Sequence, residues 1–257
     1  MRRAVRSLPV LLLCCLLLAA GSQAQNIVTL RVAAQTGTEP KFIDGGNGRV
    51  IGLCIDIFRT IERIDPGLVF AGDQQWLPLI RAVSEVTTRQ DDVACAIQRS
   101  PERERQLVFL DPVIIQFQYL LVARADDQLV VNSWDDLRAL GERGVVLVNR
   151  GFTTSDYLKQ LGGLQINASA TDPAINLQML VARRGRVFLH RNPGLKTLIA
   201  RTGMTDKVKV LPHVMYENPT YIAIGKHVDA AVVARVRRAL EQMEHTGELA
   251  RIVKKWE

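Results

Sequence analysis

Strand and helix signals alternate along this chain, and that alternation restricts it to an α/β fold. Ile27 to Ala34 alternate apolar and polar side chains as a strand does, and they end in the loop Gln35-Thr36-Gly37-Thr38-Glu39-Pro40. Asp44-Gly45-Gly46-Asn47-Gly48 reads as a hairpin-type turn. Ile51, Ile55, Phe58 and Ile61 then share one helical face, and Leu79, Ile80, Val83 and Val86 mark a second helix. The apolar strand Val93-Ala94-Cys95-Ala96-Ile97 follows. Such units imply a mostly parallel sheet flanked by helices, with ligands bound outside the carboxyl ends of its strands.

Two apolar runs divide the chain. Tyr119-Leu120-Leu121-Val122-Ala123 leads into polar residues, and Tyr221-Ile222-Ala223-Ile224 returns about a hundred residues later. We read them as two hinge strands joining two lobes. Between them a second unit runs from Val145–Val148 through Asn149-Arg150-Gly151-Phe152-Thr153-Thr154-Ser155 into a helix. It ends with a helix around Leu177, Leu180 and Val181 and the strand Arg186–His190. From Asp229, the apolar positions Val232, Val233, Val236, Leu240 and Met243 predict an amphipathic helix that packs on lobe one. The expected layout is a signal peptide at 1–24, lobe one at 25–121, lobe two at 122–220, and a return strand with C-terminal helices at 221–257.

The first residues carry Arg2, Arg3 and Arg6, then an apolar core from Leu8 to Ala20, then Ser22-Gln23-Ala24. That order predicts a cleavable secretory signal and a periplasmic protein. The residues before Cys14 are Leu11-Leu12-Leu13, too large for a lipid-attachment box. Of the 33 Lys and Arg, three lie in the leader, so the net charge of +7 becomes +4 after cleavage, 30 bases against 26 acids. A surface so mildly basic gives no argument for nucleic acid. Cys54 and Cys95 would remain in an oxidising compartment, where they form either a disulfide or two buried thiols. No spacing of His, Cys and Asp suggests a metal site, and no cofactor is expected.

The segment Ser100-Pro101-Glu102-Arg103 opens a helix. Ser100 can cap it, Pro101 suits its first position, and Glu102 lies in the first turn. Arg103 then stands near free backbone N–H groups, a combination suited to a carboxylate. Taken alone, it also reads as an ordinary surface arginine. With Val108-Phe109-Leu110-Asp111-Pro112-Val113 after it, the segment resembles the signature of the family 3 periplasmic solute-binding proteins, receptors of polar amino-acid ABC importers. Val50-Ile51-Gly52-Leu53-Cys54-Ile55-Asp56-Ile57, Trp76-Leu77-Pro78-Leu79-Ile80 and Lys254-Lys255-Trp256 resemble further family segments, in the same order. The resemblance implies a two-lobe, type II periplasmic binding protein and assigns Arg103 to a ligand carboxylate.

The cleft between such lobes would be lined from both sides. Lobe one offers Glu39, Trp76, Gln98 and Arg103; lobe two offers Phe152, Thr153, His190 and Arg191. Thr153 follows Gly151 at a helix start, where the dipole favours anions, though an ordinary N-cap reads the same way. Trp76 is either a stacking surface or a core residue. Glu39 would suit a cationic group, or is a solvated loop acid. The strand Gly185-Arg186-Val187-Phe188-Leu189-His190-Arg191-Asn192 departs from the family pattern: Phe188 replaces the strand's Asp, and no carboxylate follows until Asp206, although the family has an Asp that holds an α-ammonium shortly after this strand. A cleft walled by His190, Arg191 and Asn192 favours an acid without an ammonium, a dicarboxylate or a larger polar ligand.

The resemblance implies a monomeric receptor that captures a small carboxylate-bearing solute by hinge closure and delivers it to an inner-membrane ABC permease. Two alternatives share the scaffold. A sensory ligand-binding protein would dock on a membrane receptor instead. A dehydratase-like enzyme would need a positioned acid or base, a role only Glu39 and His190 could fill.

Overall fold

The computed structural model describes residues 27–256. The expected signal segment, its cleavage site, Cys14 and Cys15 lie outside the described residues. Two strands of 18 residues each, Leu107–Arg124 and Val208–Gly225, form the spine of the molecule. They pair antiparallel almost end to end, from Leu107 opposite Gly225 to Arg124 opposite Val208. At about 3.3 Å per residue, each is long enough to serve two lobes.

Lobe one gathers at the Leu107 end. There Val93–Gln98 pairs antiparallel with Val208–Gly225, and Val32 bridges in parallel to Val93. The parallel pairs Val28–Arg31 with Leu68–Ala71 and Ala34–Thr36 with Trp76–Pro78 extend this half. Helix Leu53–Ile64 buries Leu53, Cys54, Ile57, Phe58 and Ile61, the face its periodicity predicts. Lobe two gathers at the other end. Val187–Asn192 pairs antiparallel with Leu107–Arg124, and Val146–Leu147 and Ile166–Asn167 extend the sheet in parallel. The sheet is therefore antiparallel where the spine runs and parallel outside it.

The chain closes on lobe one. Helix Ala230–His245 buries Val233, Val236, Ala239, Leu240 and Met243, and helix Glu248–Lys255 packs beside it. Lys255 Nζ and Trp256 Nε1 both donate to Asp56 Oδ2 at 2.7 Å, which ties the last turn to the first long helix. Cys54 and Cys95 are disulfide-bonded, with both side chains fully buried. The bond joins helix Leu53–Ile64 to strand Val93–Gln98, directly ahead of the turn that carries Arg103. Among the described residues no helix is long and apolar enough to cross a membrane. No cluster of three His, Cys, Asp or Glu among them is placed to hold a metal ion.

Candidate functional site: a cationic cavity between the lobes

Strand Val93–Gln98 carries a bulge at its binding end. Tyr221 and Ala223 of the spine pair with Ile97 and Ala94, so Cys95 and Ala96 together oppose the single residue Ile222. Ala96 takes φ 50°, a left-handed conformation that costs a non-glycine residue about 1–3 kcal/mol and is concentrated at binding sites. The carbonyl of Ala96 accepts from Lys41 Nζ at 3.2 Å. Lys41 Nζ also donates to Gln35 Oε1, whose own amide donates to the Cys95 carbonyl at 3.2 Å. Lys41 is buried, and burial draws its pKa well below the lysine range, with Arg191 and Arg103 adding to the effect.

After the strand comes the short helix Pro101–Glu104, capped by Ser100, whose Oγ accepts from the Arg103 N–H at 3.3 Å. The cap aims Arg103 across the interlobe gap. Its Nη1 donates to the Gln98 carbonyl at 3.0 Å and its Nη2 to the Gly151 carbonyl of lobe two at 3.5 Å. Helix Thr153–Leu161 starts at the same place, and no side chain caps its first N–H groups. Thr153 Oγ1 is buried without a partner.

From lobe two, Arg191 reaches the other way. It is 3 % exposed, and its Nη2 donates to the carbonyls of Gly37 and Glu39 in lobe one, both at 3.1 Å. Its Nε and Nη1 are buried with no partner. Its guanidinium lies over Phe117 at 5.4 Å and Phe152 at 5.7 Å, a cation–π cradle. The cavity so formed holds about 320 Å³ of free space counting its open mouth. Three basic side chains face it, Lys41, Arg103 and Arg191, and among the described residues that line it none is acidic.

Residues 30–257 match the family described as bacterial extracellular solute-binding proteins, family 3. This chain belongs to that family. Solved structures share the solute-binding protein's fold at low identity. A histidine kinase sensor domain with similarity to periplasmic binding proteins is 21% identical, with a TM-score of 0.75 over 90% of this chain and 97% of that one. An ancestral arginine-binding protein bound to arginine is 21% identical, with a TM-score of 0.72 over 89% and 97%. An ancestral amino acid-binding protein, a precursor of cyclohexadienyl dehydratase, is 22% identical, with a TM-score of 0.70 over 89% and 95%. No curated protein matches.

Five of the eight candidates read from the sequence line the cavity of this solute-binding protein: Gln98, Arg103, Phe152, Thr153 and Arg191. Three do not. His190 neighbours Arg191 on a strand, so it points to the opposite face, where it stacks on Phe188 at 5.1 Å. Burial, with Arg191 adding to it, draws its pKa well below the usual value, so it stays neutral. Trp76 is 36 % exposed beside the cavity, and Leu79 presents its side chain there instead. The Glu39 carboxylate turns outward to Arg201 at 3.0 Å, and only its backbone meets Arg191. The sequence reading missed Lys41, Phe117 and Tyr119. Tyr119 accepts from Gln98 Nε2 and stacks on Tyr216 at 4.2 Å, inside the spine. The available signal for Lys41 was its place two residues after Glu39, in the loop already assigned to the cleft.

Proposed function

We propose that this protein is a periplasmic receptor that captures a small carboxylate-bearing solute between its lobes and delivers it to an ABC permease. Arg103 carries the reading. A capped turn of lobe one aims its guanidinium at a cavity lined from both lobes and backed by an uncapped helix start, and a carboxylate is the group this set of donors fits. Family membership supports capture of a solute outside the cytoplasm. The buried disulfide suits an oxidising compartment. Binding requires no covalent step: carboxylate pairing and desolvation hold the solute as the lobes shut.

A second reading keeps the capture and changes the recipient. The likeness to a histidine kinase sensor domain favours a protein that reports the solute to a membrane receptor. Turnover of the solute finds less support, because His190 and the Glu39 carboxylate both face away from the cavity. The test is a thermal-shift screen of amino acids, dicarboxylates and aromatic acids, followed by titration calorimetry on Arg103→Ala. A bound solute raises the melting temperature by mass action. The variant loses affinity by roughly 10- to 100-fold, the worth of a charged hydrogen-bonded pair. Unchanged affinity in the variant refutes the assignment.

A further inference from the structure

The cavity holds more positive charge than one carboxylate can balance. Two of its three basic groups are guanidiniums, which stay protonated under all physiological conditions. They enter from opposite lobes and spend their donors differently. The two donors of Arg103 that bond to protein run to the Gln98 and Gly151 carbonyls, beside the uncapped helix start and the unpartnered Thr153 hydroxyl. Arg191 spends Nη2 on Gly37 and Glu39 and leaves both Nε and Nη1 unpaired, although the side chain is almost entirely out of water. Three idle N–H groups on a buried guanidinium are costly unless something accepts from them. Lys41 donates to Gln35 and to the Ala96 carbonyl at the wall of the same cavity. Glu39, an acid whose charge acts on Arg191, is itself paired with Arg201 at 3.0 Å.

We propose that the cavity is built for a small dicarboxylate: one carboxylate lies against Arg103 and Thr153, and the second accepts from the idle Nη1 of Arg191, beside Lys41. This rests on the receptor reading above and adds the ligand's second charged group. Two permanent positive charges are matched by two negative ones. A zwitterionic amino acid would instead bring an ammonium into a space where two guanidinium cations and no lining carboxylate await it. The flat faces of Phe117 and Phe152 hold the Arg191 guanidinium from the apolar side, which fixes the plane in which its idle Nη1 can donate.

The experiment measures ratios. Succinate, glutarate, adipate and phthalate are titrated calorimetrically into the full chain, each beside its monomethyl ester, with L-arginine, L-glutamine and L-glutamate as zwitterions. At least one diacid binds roughly 10- to 100-fold tighter than its half-ester. In Arg191→Met that ratio falls toward one, while Arg103→Met weakens diacid and half-ester together. Taking the ratio within one variant removes any general cost of losing the Arg191 contacts to lobe one. If Arg191→Met does not fold, the wild-type ratio decides alone. Half-esters that bind as well as their diacids overturn the dicarboxylate assignment and leave the receptor reading standing. So does a zwitterion that binds tighter than every diacid. Failure of every carboxylate in the panel to bind overturns the receptor reading itself.

Discussion

Opening the Cys54–Cys95 bond is expected to lower stability by about 4 kcal/mol. The two cysteines are 41 residues apart. Closing a loop of that size removes about 13 cal/mol/K of chain entropy from the unfolded state, which gives the 4 kcal/mol at 25 °C. The segment spans the first long helix, both strands that follow it and helix Leu79–Thr87, so the unfolded lobe gains the full freedom of that loop on reduction. For a chain of this length the loss corresponds to a fall in Tm of about 8–16 °C. The measurement is thermal unfolding followed by near-ultraviolet circular dichroism, with and without reductant, beside the Cys54→Ala/Cys95→Ala variant. Reductant lowers the wild-type Tm and leaves the double variant unmoved. A wild-type fall of less than about 3 °C, under 1 kcal/mol on the same scale, would refute the loop-closure reasoning.

Three further outcomes are specific to this structure. Gly151 takes φ 83°, and a Cβ added there would lie 2.8 Å from Ile80 Cβ on the facing lobe. Gly151→Ala therefore penalises the shut form and weakens binding roughly tenfold by calorimetry; a second change, Ile80→Gly, which removes the Cβ it meets, restores part of it, and no recovery would show that this contact does not govern closure. Burial pushes the Asp92 carboxyl up, but hydrogen bonds from the Arg31 side chain and N–H and from His227 outweigh it and hold the pKa at about 2. A depressed carboxyl stabilises the fold above its ordinary pKa, so about 2 kcal/mol is lost as pH falls from about 4 to about 2. Acid titration of Asp92→Asn lacks that loss, and an identical acid limb in variant and wild type would show that Asp92 is not its source. Trp76→Ala leaves affinity within about twofold, and a tenfold loss would place the indole in the site.

The alternation of strand and helix was legible because each element carries its own periodicity, and helix Leu53–Ile64 buries the face that its spacing marks. The spine was legible only in part. Its two strands contain Pro112, Pro212 and Pro219, and proline normally ends a ladder because it has no N–H to donate. Register shifts at Val210/Val214, Val214/Tyr216 and Thr220/Ile222 let the pairing continue past those points. No local rule shows that two such ladders will be spliced into one. In the site, Arg103 could be found because its cap is a local signal. His190 was misplaced although strand alternation bears directly on it: if Arg191 faces the cavity, its neighbour cannot. Lys41 was hidden because its burial is created by a bulge on another strand, which turns the Ala96 carbonyl toward it.

The tie from Lys255 and Trp256 to Asp56 spans about two hundred positions of sequence. Lobe two, by contrast, is one uninterrupted stretch between the spine strands. During folding, the second half is thus able to condense while the first still waits for the closing turn. Truncation by a handful of residues at the tail would strip the partners from an acidic side chain near the front, and early termination would be felt at the opposite end of the gene product.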